Sequence, residues 1–264
     1  MGLFKKKQKR QPIPGLIGEA TDYSIYIPNL KEKILWFLIG LIAAGLVLYL
    51  FYENLYVSLL IGAICGVAFV PIRTKQVIKK RRQRLSMQFR ELLDALSTSI
   101  GAGKNVQDAF QGSVEDLANQ FTANADIVKE LEIICSGMYN NIAIEELLMN
   151  FAQRSGVEDI ENFANVFATC YRKGGNINEV IKNTAEIIRD KIEIKMELQT
   201  MVAGQKNEMN IMLVMPVLFI VVMKSMGGGL IDLSSSTGVL SVTAALAIFV
   251  LAYFAGQWIT NIKI

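Results

Sequence analysis

A chain of 264 residues with 52% hydrophobic content, a mean hydropathy of +0.35 and a formal net charge of +3 has a composition that points away from an ordinary soluble protein and toward a membrane protein carrying one soluble block. Histidine is absent, and Cys65, Cys135 and Cys170 stand alone without CxxC spacing. That disfavours a disulfide framework, a zinc site and any Ser-His or Cys-His catalytic pair, and it suits a reducing cytoplasm.

Charge is divided along the chain. The N-terminal arm carries Lys5, Lys6, Lys7, Lys9, Arg10, Lys31 and Lys33, and a second basic segment carries Arg73, Lys75, Lys79, Lys80, Arg81, Arg82 and Arg84. Between Leu85 and Glu208 the sign reverses, with 19 Asp plus Glu against 11 Lys plus Arg. Residues 1–33 read as a basic cytoplasmic arm and linker broken by Pro12, Pro14, Gly15, Gly18 and Pro28, with little fixed structure expected before Tyr23. The first apolar run begins at Ile34, too late for a secretory signal peptide, and Lys6 stands where a myristoylation signal has Ser or Thr.

Two charge-free runs, 34–52 and 55–72, are each about the ~20 residues that cross a hydrocarbon core, and the short polar break at Glu53-Asn54 makes them a transmembrane hairpin. Small residues recur in both, notably Gly40, Ala43, Ala44 and Gly45, then Gly62, Ala63, Gly66 and Ala68. Gly62 and Gly66 fit the GxxxG spacing that lets helix backbones approach, a pattern also met in plain hairpin packing. A cytoplasmic helical domain follows over 73–208. Its first helix keeps Phe89, Leu92, Leu93, Leu96 and Ile100 at helical spacing and stops at Gly101-Ala102-Gly103. Further helices start at Asn105 (Val106, Ala109, Phe110, Val114), near Asn124 (Ile127, Leu131, Ile134, Cys135) and near Ile142 (Ile144, Leu147, Leu148, Phe151). A fifth follows Gly156 (Ile160, Phe163, Val166, Phe167, Cys170), and a sixth starts at Asn176 (Ile177, Val180, Ile181, Ala185, Ile188, Ile192, Met196). No clear breaker precedes Gly204, so the sixth helix is expected to run on into the third span, 209–231, where Lys224 snorkels and Pro216 kinks the helix. A loop around Gly227-Gly228-Gly229 and Asp232 leads to a fourth span, 239–259, ending near Trp258 and Lys263. The distribution of Lys and Arg puts both termini and the acidic domain in the cytoplasm.

The fold class expected is therefore an all-α membrane protein, with four transmembrane helices and one cytoplasmic antiparallel six-helix bundle of about 120 residues, built as three helical hairpins. Two corners echo each other 71 residues apart: Gly103-Lys104-Asn105-Val106-Gln107-Asp108 and Gly174-Gly175-Asn176-Ile177-Asn178-Glu179. In each, a glycine accepts the left-handed backbone that closes a helix, Asn is a good N-cap, and an acid three residues on can complete a capping box. A fainter trace recurs around Tyr139-Asn140-Asn141.

Catalytic constellations are not found. Neither Gly101-Ala102-Gly103-Lys104 nor Arg172-Lys173-Gly174-Gly175 has phosphate-loop spacing, the spans contain no Asp, and the acid pairs suit helix N-terminal turns. No metal, no cofactor and no nucleic acid is called for. Contact with other proteins remains, with a small transporter or a membrane-bound signalling adaptor as alternatives. The transmembrane pair, the Arg/Lys-rich exit helix, the run from Leu92-Leu93-Asp94-Ala95-Leu96 through Gly103 to Phe110, and Arg172-Lys173-Gly174-Gly175-Asn176 leading to Met215-Pro216 together resemble the type II secretion system F-domain family. The resemblance is more specific to the single-module TadB/TadC branch of Tad (Flp) pilus machines.

That resemblance implies a non-enzymatic inner-membrane platform of a prokaryotic secretion or type IV pilus machine. Its implied partners are a cytoplasmic hexameric ATPase, pilin subunits, and a paralogous or identical platform subunit that supplies a second bundle. It also implies partner contacts at Gly103, Lys104, Asn105, Arg172, Lys173, Gly174, Gly175, Asn176 and Glu179; the alternative reading of these residues is plain helix capping. Lipid headgroup contacts are expected at Arg73, Lys79, Lys80, Arg81, Arg82 and Arg84, on the charge run itself.

Overall fold

The computed structural model describes residues 12–18, 20–52, 54–225 and 236–260. The Lys5–Arg10 run, the Gly227–Asp232 loop and Lys263 lie outside the described residues, as do the side chains of Lys224 and Trp258. The regular secondary structure of the described residues is all helix, in the order α1 (Leu30–Tyr52), α2 (Leu55–Gly101), α3 (Val106–Gln120), α4 (Asp126–Tyr139), α5 (Ile144–Ser155), α6 (Glu158–Lys173), α7 (Ile177–Ser225) and α8 (Ser236–Thr260). Helix makes up 84% of the structure and no strand is present among the described residues, which settles the all-α class.

Two helices are much longer than the rest, at 47 residues for α2 and 49 for α7. The expectation that the sixth bundle helix continues into the third apolar segment holds, because α7 runs unbroken from Ile177 to Ser225 with Pro216 inside it. Pro216 has no N–H for the Met212 carbonyl, so this is where α7 is weakest. Pro71 puts the same defect in α2, which the sequence reading passed over. Three helices are long and apolar enough to cross a membrane: α1, α2 and α7 through Val222. The expected fourth span lies in α8, whose described apolar stretch, Thr243–Ala252, is shorter.

The chain divides into two compact units. One joins the described residues through Ile27 to Thr74–Ile192, and the other joins Pro28–Arg73 to the residues from Glu193 onward. In the first unit, each helix buries the face its sequence period marks. Leu85, Phe89, Leu92, Leu93 and Leu96 of α2 are at most 1% exposed, and Phe89 sets its ring against Phe163 of α6, edge-on at 5.4 Å, and Phe151 of α5 at 6.3 Å. The smaller helices follow one another in space, α3 against α4, α4 against α5 and α5 against α6. Ile181, Ala185 and Ile188 of α7 complete the core. Two expected core positions are corrected. Val166 is about a quarter-turn off the stripe of Ile160, Phe163 and Phe167, and Met196 lies past the last core residue of α7; both are exposed.

The N-terminal segment departs most from expectation. Rather than lacking fixed structure before Tyr23, the described residues from Pro12 onward form a strap on the bundle. Tyr23 is 2% exposed, its N–H donates to the Arg154 carbonyl at 2.9 Å and its hydroxyl donates to Glu130 Oε1 at 3.0 Å. Arg154 and Glu130, both 1% exposed, form a two-pronged ion pair at 2.7 and 2.6 Å. The remaining Arg154 donors reach the Thr21 carbonyl at 3.0 Å and Asn150 Oδ1 at 2.7 Å. Asn150 Nδ2 in turn donates to the Pro14 carbonyl at 3.1 Å. Polar main-chain groups of the strap thus satisfy a buried charge, which is why a Pro- and Gly-rich stretch becomes ordered.

In the second unit, α1 and α2 meet through glycine. A Cβ on Gly40 would lie 3.0 Å from the Gly66 Cα, one on Gly66 would lie 2.9 Å from the Phe37 carbonyl, and one on Gly62 would lie 3.2 Å from the Leu41 carbonyl. The GxxxG glycines are therefore at a true backbone crossing. Tyr52 and Thr243 share a hydroxyl hydrogen bond of 3.0 Å that ties α1 to α8.

The buried pair makes a two-step prediction. Arg154→Met alone strands Glu130 and is expected to cost about 3–5 kcal/mol, whereas adding Glu130→Leu restores most of the loss. Denaturant unfolding of the purified protein in detergent reads both.

Candidate functional site

Both echoed corners form as their residues require. Gly103 has φ +87° and Gly174 φ +70°, left-handed positions where a Cβ would meet nothing within 4 Å, so backbone conformation alone selects glycine. Each helix closes with a bond across five residues, Lys104 N–H to the Ser99 carbonyl at 3.1 Å and Gly175 N–H to the Cys170 carbonyl at 2.9 Å. Each following helix starts with an Asn cap. Asn105 Oδ1 accepts from the Asp108 N–H at 2.8 Å while Asn105 Nδ2 donates to Asp108 at 2.7 Å. Asn176 repeats this with Glu179, at 3.2 and 3.4 Å. The acid here bonds the cap's side-chain amide.

The structure adds a corner of the same build between these two, so that in chain order the Gly103, Asn141 and Gly174 corners are the first, second and third. Asn141 takes φ +60° and Ile142 N–H reaches the Gly137 carbonyl at 3.0 Å. Asn is the side chain that tolerates this conformation most readily after glycine. The next helix starts at Ala143 without a side-chain cap, so the sequence trace was faint because only half of the device is kept.

The three corners share one end of the bundle. Ser97 Oγ donates to Asn178 Oδ1 at 3.2 Å, joining the first corner to the third. Arg172 Nε lies 3.5 Å from Glu145 Oε1, joining the third to the second. Arg172 is 72% exposed, so that pair contributes little to stability and leaves the guanidinium presented to solvent. Lys104, Lys173, Gly174, Gly175, Asn176 and Glu179 are exposed as well. Tyr139, 85% exposed at the end of α4, belongs to the same end, and Tyr171 stacks on Phe167 at 5.5 Å. Beside the third corner an open groove of about 510 Å³ is lined by Asn165, Val166, Thr169, Cys170, Lys173 and Gly175. The sequence places Tyr139 in the faint corner trace but does not mark it as a surface residue, because a single tyrosine at a helix end carries no periodic signal.

The basic segment is placed less uniformly. Arg73, Lys79, Lys80 and Arg84 are exposed, Arg73 with its guanidinium 5.2 Å from the Phe69 ring centre. Arg81 and Arg82 are half-buried. Arg81 pairs with Asp126 at 3.0 Å and covers the Tyr23 ring at 4.6 Å. Burial opposes its charge, but the hydrogen bond and charge of Asp126 outweigh it and hold the guanidinium pKa above its usual range. Burial, then the charges of Glu130 and Asp126, raise the Tyr23 phenol far above its ordinary value, so it stays a donor. At Glu91 burial works against ionisation, yet hydrogen bonds from Arg90 and Gln120 hold the carboxyl below its usual range. Among the described residues no three His, Cys, Asp or Glu side chains cluster as a metal site would require.

Residues 92–223, half of the chain, match the family model described as Type II secretion system (T2SS), protein F. Neither a curated protein nor a solved structure matches the chain. The matched segment takes in all three corners and α7 through Met223, and leaves out the strap.

Two outcomes follow from the corners and the core. Gly103→Ala and Gly174→Ala are each expected to cost about 1–2 kcal/mol through the left-handed backbone, while Asn141→Gly is neutral or mildly stabilising; thermal midpoints compare the three. Burial, with the Glu132 charge, pushes the Cys135 thiol up to about 11, so its thiolate is scarce at neutral pH. Its alkylation rate is expected to rise about tenfold per pH unit up to that value, followed by mass spectrometry of the Cys135 peptide.

Proposed function

Because the chain belongs to the type II secretion system protein F family, we propose that it is the non-enzymatic inner-membrane platform of a type II secretion or Tad/Flp-type pilus machine, in the single-module TadB/TadC-like form. In this reading α1, the first part of α2, the last part of α7 and α8 are four spans, with both termini and the bundle in the cytoplasm. A cytoplasmic hexameric ATPase engages the bundle, and the platform passes its movement to pilin subunits. A second copy or a paralogue provides the other bundle, and the exposed cations of α2 meet anionic headgroups.

The observation that supports this reading most is the form of α7. Its first turn is capped at the third corner by Asn176 and Glu179, and the same helix continues without a break to Ser225, past Pro216. A helix transmits an axial push because its backbone hydrogen bonds run along the axis. A load on Arg172 or Lys173 therefore enters a continuous helix whose last part is apolar. Ser97–Asn178 and Arg172–Glu145 spread that load over all three corners.

Replacing Arg172 and Lys173 together with Ala is expected to cut pilus or secretion output at least tenfold while leaving the membrane level of the protein unchanged. Immunoblots of membranes set beside assembled pilin measure both; normal output at normal level would remove the corners from the mechanism.

A further inference from the structure

The strap divides the basic face of α2 in two. Lys75, Lys79 and Arg82 follow i, i+4, i+7 spacing and share one side of the helix. Lys75 and Lys79 are exposed, but Arg82 is half-buried under the strap. Its Nε is shut off from water with no hydrogen-bond partner among the described residues. Its guanidinium lies against the left-handed corner at Gly156, on the side where Ser24 of the strap also approaches, since a Cβ there would strike both Arg82 and the Ser24 hydroxyl. The neighbouring Arg81 is treated differently, since Asp126 accepts from it at 3.0 and 3.4 Å and Tyr23 lies beneath it. Arg81 is satisfied by Asp126 of α4 with the Tyr23 ring against it, whereas Arg82 is left with an orphaned donor, which costs free energy.

Guanidinium presents its donors in a planar fork that fits phosphate oxygens, and two lysines on the same face add charge without geometric demand. The strap is held by bonds from Arg154 to the Thr21 carbonyl, from Asn150 to the Pro14 carbonyl, from the Tyr23 N–H to the Arg154 carbonyl and from the Tyr23 hydroxyl to Glu130. Undocking requires water to replace the strap's groups at Arg154 and Glu130, and it gives Arg82 access to a ligand. We propose that the strap is an autoinhibitory cover over a phosphate-binding face made by Lys75, Lys79 and Arg82, and that a phosphate group displaces it. The proposal rests on the reading of the α2 basic segment as a headgroup-contacting surface. The phosphate belongs to a lipid headgroup or to a free anion, and the two sources are separable.

The test uses the full-length protein in nanodiscs of phosphatidylcholine, with and without phosphatidylglycerol, and follows amide exchange of the peptide containing Tyr23 and Ser24. Exchange is expected to rise about tenfold with phosphatidylglycerol and to stay at its basal rate in Arg82→Gln. Arg82→Lys, which keeps the charge and guards against a folding failure, is expected to give a smaller rise. Inorganic phosphate added to the neutral discs distinguishes the sources: a matching rise assigns the free anion as sufficient, and no rise assigns the headgroup. Strap exchange that ignores both phosphatidylglycerol and phosphate overturns the proposal, as does an undiminished rise in Arg82→Gln. Co-purified phosphatidylglycerol is measured in parallel with Lys75→Ala/Lys79→Ala. If its retention depends on these lysines but the strap never moves, the headgroup reading stands and the cover is refuted. If retention is unaffected, the headgroup reading itself fails.

Discussion

The bundle is organised around one buried charge pair. Glu130 and Arg154 sit at 1% exposure with two short hydrogen bonds between them, an arrangement whose desolvation is offset only if every remaining donor and acceptor finds a partner. Asn150, Thr21 and Tyr23 provide those partners. The consequence reaches beyond the pair. Because two of the three come from the strap, a segment with no helix and no apolar period becomes part of the folded unit, and it sets Tyr23 beneath Arg81 and Ser24 beside Arg82. The position of the strap thus decides which cations of α2 are presented and which are covered.

At the other end of the bundle the constraint is backbone geometry. Three times a helix ends in a left-handed residue, at Gly103, Asn141 and Gly174, and closes with a bond across five residues. Such closures satisfy terminal carbonyls in a short span and turn the chain sharply, so they leave little to bury and much to present. Lys104, Arg172, Lys173 and Tyr139 are consequently exposed beside main chain closed by hydrogen bonds, the combination that the proposed contact surface requires. The family match covers all three corners and the α7 rod that starts at the third.

Much of this was legible in the residues. Apolar periods located every bundle helix, and Phe89, Phe151, Phe163 and Phe167 were nominated and are buried, because a period of 3.6 needs only local sequence to be read. The Gly-x-Asn-x-x-acid echo foretold two capped corners for the same reason: capping is decided within six residues. Small residues in the first two apolar runs marked a helix crossing, and Gly40, Gly62 and Gly66 form it. Val166 was misread because the helix turns its side chain off the buried stripe, and Met196 because its stripe continues past the last core residue of α7.

What the sequence by itself determined is the class of the molecule: apolar runs of membrane-spanning length, an acidic helical block between basic ends, and glycine corners whose chemistry is local. Only the tertiary structure decided that Glu130 in α4, Arg154 in α5, Arg81 in α2 and Tyr23 in the strap form one polar cluster, because these residues are up to 131 positions apart and no local period links them. A buried ion pair reads in sequence as two ordinary surface charges. Its partners are chosen by packing, since removal from water is what makes the pair costly and forces the strap into place.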